Sequence, residues 1–263
     1  MSTQQNTTAL TGETALVTGG TKGIGKAIAD RLAQAGATVI VTARNKPDAS
    51  FEHDFIAADL LDAKDVARLA QTVKERVGTL DILIDNIGGL TTPGGGFSTL
   101  TDEHWEQELQ FNLLAAIRLD RALLPGMLEK KSGVVIHIST GTSLYPLWDI
   151  NAAYAVSKAA LNAYSKTLAN EVTGKGVRVV TVSPGAVHTE MMENFIQGYA
   201  KDSGITPKAA EENLLSKFGG VPMGRMAQPE EIANLVAFVA SPAASYITGV
   251  NYRVDGGAIP VVI

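Results

Sequence analysis

Seven short Val-, Ile- and Leu-rich runs, separated by longer segments of helical character, constrain this chain more than any other feature. The runs fall at residues 14–18, 38–42, 55–57, 82–85, 134–138, 177–182 and 251–254. Most show no period-two alternation, as expected of strands covered on both faces. Between them Val66, Leu69, Ala70, Val73 and Val77 recur at helical spacing after Asp62, a side chain suited to capping. Gly36 and Gly78 stand where helices would stop. Repeated strand–helix–strand order implies a parallel sheet with right-handed crossovers and helices on both faces, an α/β architecture. The 263 residues are 45% apolar and 19% charged, enough for one large core. No repeat or linker divides residues 10–263, which read as one domain after a polar, disordered tail at 1–9.

Composition excludes several classes of function. The net charge of −5 gives no electrostatic footprint for nucleic acid or an anionic membrane. The chain has no cysteine, so disulfides, thiolate nucleophiles and thiolate metal sites are all excluded. His53, His104, His137 and His188 are far apart and show no ligand spacing, so no metal is expected. No apolar run approaches the ~20 residues of a membrane span, and residues 1–9 lack an apolar signal core. A cytoplasmic location is the expectation.

The first strand ends in Thr18-Gly19-Gly20-Thr21-Lys22-Gly23-Ile24-Gly25, and a helical pattern follows through Ala27, Ile28 and Leu32. A strand that turns sharply into a helix offers free N–H groups to a pyrophosphate, provided that no side chain blocks the approach. Gly19 would make the turn, Gly23 would permit close approach and Gly25 would let helix and sheet pack. Further on come Asp59 after the third run, Asn86 and Gly88 after the fourth, and Asn112 in a helical stretch. A hydroxyl pair follows the fifth run, then Tyr154-x-x-x-Lys158 and Ser183-Pro184-Gly185. In this order the landmarks resemble those of the classical short-chain dehydrogenase/reductase family, over about residues 10–257. The resemblance implies a single-domain Rossmann fold with a doubly wound, seven-stranded parallel sheet.

It also implies a dinucleotide held by Gly19, Thr21, Lys22, Gly23, Ile24, Asp59, Leu60, Asn86, Gly88, Pro184, Gly185, Val187 and Thr189, with Asp59 near the adenine. Charge selects the form of the cofactor. NAD enzymes of this fold place a carboxylate at the end of the second strand for the ribose 2′-hydroxyl. Here that strand ends in Ala43-Arg44, and Lys22 adds a second cation, so a 2′-phosphate is attracted and NADP(H) is expected.

Tyr154 and Lys158 stand four apart in a stretch, 151–168, whose alanines and leucines favour helix, so they share a face. A free tyrosine titrates near ~10, and an adjacent ammonium would lower that value and prepare Tyr154 as an acid/base. By resemblance Lys158 also binds the nicotinamide ribose. The third catalytic position falls on Thr140, with Ser139 as the alternative and Thr142 and Ser143 more remote. Asn112 would support a water relay behind the lysine. The family's usual Asn-Asn-Ala-Gly is here Asp85-Asn86-Ile87-Gly88; by comparison with the family, Asp85 is expected to alter support of the central sheet and Ile87 to narrow the cofactor channel, and neither removes a catalytic group.

Two stretches depart from the strand–helix rhythm. Residues 90–98 read as a mobile loop. Residues 190–222 read as a helical insertion with Met191, Met192, Phe195, Ile196, Leu214, Leu215 and Phe218 on an adaptable face. Both follow strand ends and are candidate substrate lids; an ordinary surface excursion or a subunit contact is the alternative. The reading as a whole is an NADP(H)-dependent oxidoreductase acting on a carbonyl or alcohol, and a homo-oligomer, tetramer or dimer, by resemblance. The alternatives are a non-catalytic NADP(H)-binding sensor or partner subunit, and a lyase or epimerase on the same scaffold.

Overall fold

The structure, a computed structural model, describes residues 9–48, 50–217 and 219–260. Of the expected tail only Ala9 falls among them; Phe218 and the final apolar residues 261–263 lie outside. Seven strands, β1 (Thr14–Thr18), β2 (Thr38–Ala43), β3 (Asp54–Ala57), β4 (Ile82–Asp85), β5 (Gly133–Ile138), β6 (Val177–Pro184) and β7 (Asn251–Val254), form one sheet in the order β3-β2-β1-β4-β5-β6-β7. Every pairing is parallel. Strand β6 runs two residues beyond its expected end because Ser183 and Pro184 pair with Arg253 and Val254 of β7. A proline is tolerated at such a terminal position, where its missing N–H costs least.

The helices are α1 (Gly23–Gln34), α2 (Ala63–Val77), α3 (Asp102–Leu109), α4 (Ala115–Lys130), α5 (Trp148–Val172), α6 (Glu190–Ser203), α7 (Pro207–Lys217) and α8 (Pro229–Ala240). Ala15, Val17, Val41, Ile84 and Val180 bury one face of the sheet against Ile28 and Leu32 of α1 and Ile232 and Val236 of α8. The intervening residues, Leu16, Ile40, Leu83 and Val179, bury the other face against α2, α4 and α5. Both faces being covered, alternate positions are equally apolar, and the strands read as continuous runs. Full burial of each such aliphatic side chain contributes roughly 1.5–3 kcal/mol. Asp62 caps α2 by accepting from the Lys64 N–H (2.8 Å), and Gly78, at φ 77°, ends it.

Two helical expectations are corrected. The helical stretch expected around Asn112 is α3 and α4 joined by a π-helical turn, Gln110–Leu114, that contains Asn112. An inserted π turn has no side-chain signature, so periodicity alone passes over it. In α5, Asn151 departs from helical geometry (φ −147°, ψ 35°), and the regular helix starts after it. Within the 190–222 insertion, α6 and α7 form a hairpin around Ile196, Ala200, Ala210, Leu214 and Met226. No helix among the described residues is long and apolar enough to cross a membrane.

The order of strands reverses direction between β1 and β4, and their carboxyl ends open the crevice in which such sheets bind ligands.

Candidate active site

At the end of β1 the chain turns on Gly19 (φ 60°), whose N–H donates to the Thr42 carbonyl (2.8 Å), and enters α1 at Gly23 (φ 54°). A Cβ on Gly25 would lie 2.3 Å from the Gly19 carbonyl oxygen and 2.5 Å from Asn86 Nδ2, so this glycine accommodates the turn and Asn86 as well as the helix. Asn86 is itself fixed: its N–H donates to Thr18 Oγ1 (2.9 Å) and its amide to the Thr18 carbonyl (3.0 Å). Lys22 stands at the N-cap of α1, and no side chain caps the helix, which leaves the first-turn N–H groups free for an anionic ligand.

Lys22 and Arg44 are exposed where β1 and β2 end, and neither joins an ion pair among the described residues. Asp59 accepts from the Leu61 N–H (3.0 Å) through one carboxylate oxygen and lies on the crevice wall. Beyond β6, Gly185 donates its N–H to the Val254 carbonyl (2.9 Å), which leaves only its carbonyl for a backbone contact with a ligand. Val187 bridges Ala227 through its neighbours' groups, which directs its own N–H and C=O the other way. Thr189 caps α6 by accepting from the Met192 N–H (3.2 Å).

Tyr154 and Lys158 lie on α5 over the end of β5. Lys158 is 2% exposed, and its ammonium donates to the carbonyls of Ile138 (2.8 Å) and Ile87 (3.4 Å). Burial pulls it down to about 8, against the carboxylates of Asp85 and Glu108, which raise it. Tyr154 differs from the expectation. Burial pushes its hydroxyl up to about 12; a hydrogen bond with Thr140 pulls it down and the Glu108 charge raises it further. In the protein alone the Lys158 ammonium is occupied by carbonyls, and the expected lowering of the phenol does not arise.

Of the hydroxyls after β5, Thr140 is the one that bears on the Tyr154 phenol, lowering it; its Oγ1 lies 3.2 Å from Thr142 Oγ1 and accepts from the Thr142 N–H (3.3 Å). Ser139 points to the Lys158 carbonyl and Ser143 (both 3.4 Å), and Ser143 binds the Thr140 carbonyl (2.6 Å).

One cavity of about 680 Å³ gathers Gly19, Thr21, Lys22, Gly23, Ile24, Arg44, Asp59, Leu60, Asn86, Gly88, Thr140, Tyr154, Lys158, Pro184, Gly185, Val187 and Thr189. Asn112 is the one expected site residue outside it. It is buried behind Gly88 and Gly89, accepting from the Gly89 N–H (2.9 Å) and donating to the Gly89 carbonyl (3.1 Å) and to Glu108. The remaining wall includes Phe111, Tyr145, Ile150, Met191 and Phe195, with Glu190 and Asp255 as its acidic members. His188 lies off the cavity, 3.3 Å from Glu193.

Sequence reasoning passed over two buried groups. Glu108 takes part in no motif; its only signal is a place four residues before Asn112. Asp85, Asp120 and His137 bring ligand-type atoms within 4.8 Å of one another. His137 Nε2 is 3.1 Å from Asp120 and 3.5 Å from Asp85, and Tyr164 donates to Asp120 (2.8 Å). Neither oxygen of Asp85 has a donor, and burial together with Asp120 holds its carboxyl well above the usual range.

A family model described as enoyl-(acyl carrier protein) reductase matches residues 18–258. The 3-oxoacyl-[acyl-carrier-protein] reductase FabG of Vibrio cholerae is 34% identical over 256 residues, covering 94% of this chain and 98% of its own. An acetoacetyl-CoA reductase of Allochromatium vinosum is 34% identical over 255 residues, covering 92% and 97%. Among solved structures, L-sorbose reductase from Gluconobacter frateurii, complexed with NADPH and L-sorbose, superposes with a TM-score of 0.88 at 31% identity, covering 97% of this chain and 100% of that one.

Proposed function

The chain belongs to the short-chain dehydrogenase/reductase family, and we propose on that premise that it moves a hydride between NADP(H) and a carbonyl or secondary-alcohol substrate, with Tyr154 as general acid/base. The observation that carries the reading is the meeting of Tyr154, Thr140 and Lys158 with the glycine turn and its two cations in one cavity. Residues 10–263 act as a single cofactor-binding unit.

The residues present fit a phosphorylated dinucleotide. The uncapped N-terminus of α1 suits a pyrophosphate, and the glycines keep Cβ atoms out of the turn. Lys22 and Arg44 suit a 2′-phosphate, and Asp59 and Leu60 the adenine. Asn86, Gly88, Lys158, Pro184, Val187 and Thr189 line the part of the crevice where the nicotinamide end belongs. When bound, NADPH supplies the hydride for reduction and NADP⁺ accepts it in the reverse direction.

The protein's own groups manage the proton. A phenol titrating at about 12 is held protonated at neutral pH, which suits donation to a carbonyl oxygen as negative charge develops there. The Thr140 hydroxyl orients that oxygen and shares its charge. Lys158 brings a positive charge beneath the site and binds the ribose hydroxyls. The rest of the wall, with Phe111, Tyr145, Ile150, Met191 and Phe195, is largely apolar, and Glu190 and Asp255 are its acidic members. Carbonyl compounds with apolar substituents therefore suit it.

The test is NADPH oxidation followed at the nicotinamide absorbance band with a panel of uncharged ketones, acetoacetyl-CoA and L-sorbose. Tyr154→Phe should lose about 10²–10⁴-fold in kcat. Tight NADPH binding without turnover of any member would instead identify a binding protein. Self-association is also expected: Val156 on α5 and Phe238 on α8 are large apolar side chains 49% and 45% exposed, and light scattering would give the stoichiometry.

A further inference from the structure

Glu108 is a fully buried carboxylate with no cation in hydrogen-bonding contact among the described residues. Its charge is compensated by donors instead. Oε1 accepts from the N–H groups of Thr91 (2.7 Å) and Thr92 (3.0 Å) and from both of their hydroxyls (3.0 Å each). Oε2 accepts from Asn112 Nδ2 (2.5 Å). Thr91 lines the cavity at the start of the loop read as mobile, so the first corner of that loop is pinned from below. On its other side Asn112 holds both backbone groups of Gly89. The preceding Gly88 leaves no room between Asn112 and the lysine: a Cβ there would lie 2.7 Å from Asn112 Oδ1 and 2.5 Å from Lys158 Nζ.

We propose that Glu108 is a positioning residue that fixes the Thr91–Thr92 corner of the substrate loop and, through Asn112, the Gly88–Gly89 backbone beside which the Lys158 ammonium sits. One buried carboxylate thus sets loop placement and ammonium placement together. The residue type follows from the donor count. Five donors converge, four of them on one oxygen, and only an ionised carboxylate offers acceptor sites on both oxygens and no competing N–H. Glutamine would turn an NH₂ towards either the threonines or the Asn112 amide, which are donors themselves. A buried charge is retained only where its hydrogen bonds are complete, so the corner and the Asn112 side must stay in place together.

The same charge acts on the chemistry. The groups that bear on Lys158 are Glu108 from α3 and, once it has ionised, Asp85 from β4, both favouring the ammonium, with the Ile87 and Ile138 carbonyls at its head and Tyr154 on its own helix. Without Glu108 the ammonium would be lost at lower pH.

The catalytic part of this inference rests on the proposed reductase reading, so the experiment has an arm that needs no turnover. Glu108→Gln, Glu108→Asp and a Thr91→Val/Thr92→Val double variant are compared with the unaltered protein by amide hydrogen exchange over residues 89–98. The same set is compared by the pH dependence of kcat/KM for a carbonyl that the unaltered protein reduces. In Glu108→Gln the Thr91 and Thr92 amides should exchange at least about tenfold faster, the loss expected when a charged acceptor is removed. The alkaline limb of its pH profile should also move to lower pH. Glu108→Asp, which keeps the charge but is one methylene short, should show the faster exchange with the limb in place. The double threonine variant should raise KM and leave the limb unmoved.

Exchange in Glu108→Gln equal to that of the unaltered protein would overturn the clamp. A limb that moves equally in the threonine variant would overturn the electrostatic link. If Glu108→Gln fails to fold, Glu108→Asp reads the clamp, and a limb that moves in Glu108→Asp or in the threonine variant overturns the link. If no carbonyl is reduced, the function above fails while the exchange arm still decides the role of Glu108 in the loop.

Discussion

Replacing Gly88 by alanine tests the close packing between the two buried polar side chains of the site. Gly88 adopts φ 145°, a backbone region that L side chains rarely enter, and holding a non-glycine residue in such a region costs about 1–3 kcal/mol. The new Cβ would meet Lys158 Nζ at 2.5 Å, Asn112 Oδ1 at 2.7 Å and Lys158 Cε at 3.0 Å. Neither neighbour has solvent to move into. Lys158 is 2% exposed and held at the Ile138 carbonyl, and Asn112 is 1% exposed and bonded to Gly89 and Glu108.

Overpacking of such a site adds roughly 1–3 kcal/mol, so the total is roughly 2–6 kcal/mol out of the ~5–15 kcal/mol that a folded domain holds. At about 2–4 °C per kcal/mol for a chain of this size, Tm should fall by roughly 4–24 °C. The variant therefore folds at low temperature, and its activity can be read there. Displacing the ammonium by ~1 Å should cost on the order of 10²-fold in kcat. Thermal melting and NADPH oxidation on the same preparation are the assays. A variant melting within about 1 °C of the unaltered protein, with kcat within about twofold, would refute the claim that Gly88 is the spacer between Lys158 and Asn112.

Three further outcomes are expected. Combining Lys22→Ala with Arg44→Asp removes both cations at the 2′-phosphate position, and the ratio of kcat/KM for NADPH over NADH should fall by ~10²-fold or more; an unchanged ratio would place the phosphate elsewhere. Because burial brings Lys158 down to about 8, its ammonium is present below that pH and lost above it, so activity that depends on the charge should decline as pH rises through about 8. A flat profile to pH 10 would contradict this. Asp85 keeps its proton in the fold at pH values where the unfolded chain has released it, so the native state loses stability as pH climbs above the ordinary carboxyl range. Asp85→Asn removes that penalty, and its amide can serve the unpartnered Asp120 Oδ1; it should raise Tm at pH 7 and change it little at pH 4, and a lower Tm at pH 7 would sink the account.

Much of this was legible in one dimension. The strands are uninterrupted apolar runs because the sheet is buried on both faces, and their spacing by amphipathic segments leaves a parallel, doubly wound sheet as the consistent arrangement. The glycine turn, Tyr154-x-x-x-Lys158 and Ser183-Pro184-Gly185 could be read because turn geometry and helical spacing are local properties. All but one of the residues expected at the site do line one cavity.

Tertiary packing decided the rest. Proximity in the sequence places Tyr154 beside Lys158 on a helix face, but burial and the carbonyls of Ile87 and Ile138 determine that the ammonium turns to the backbone and the phenol rises to about 12. Thr140 is proposed over Ser139 because it is the hydroxyl that bears on Tyr154, and only the folded end of β5 decides that. Asn112 reaches Gly89 from within a π turn that no residue pattern announces. Glu108 becomes informative only when the loop after β4 folds back over α3 and brings Thr91 and Thr92 to its carboxylate. Sequence fixes what each segment can be, since backbone preference and periodicity act over a few residues. Protonation, charge compensation and aim belong to the assembled molecule, since each is a sum over groups that meet only across long stretches of chain.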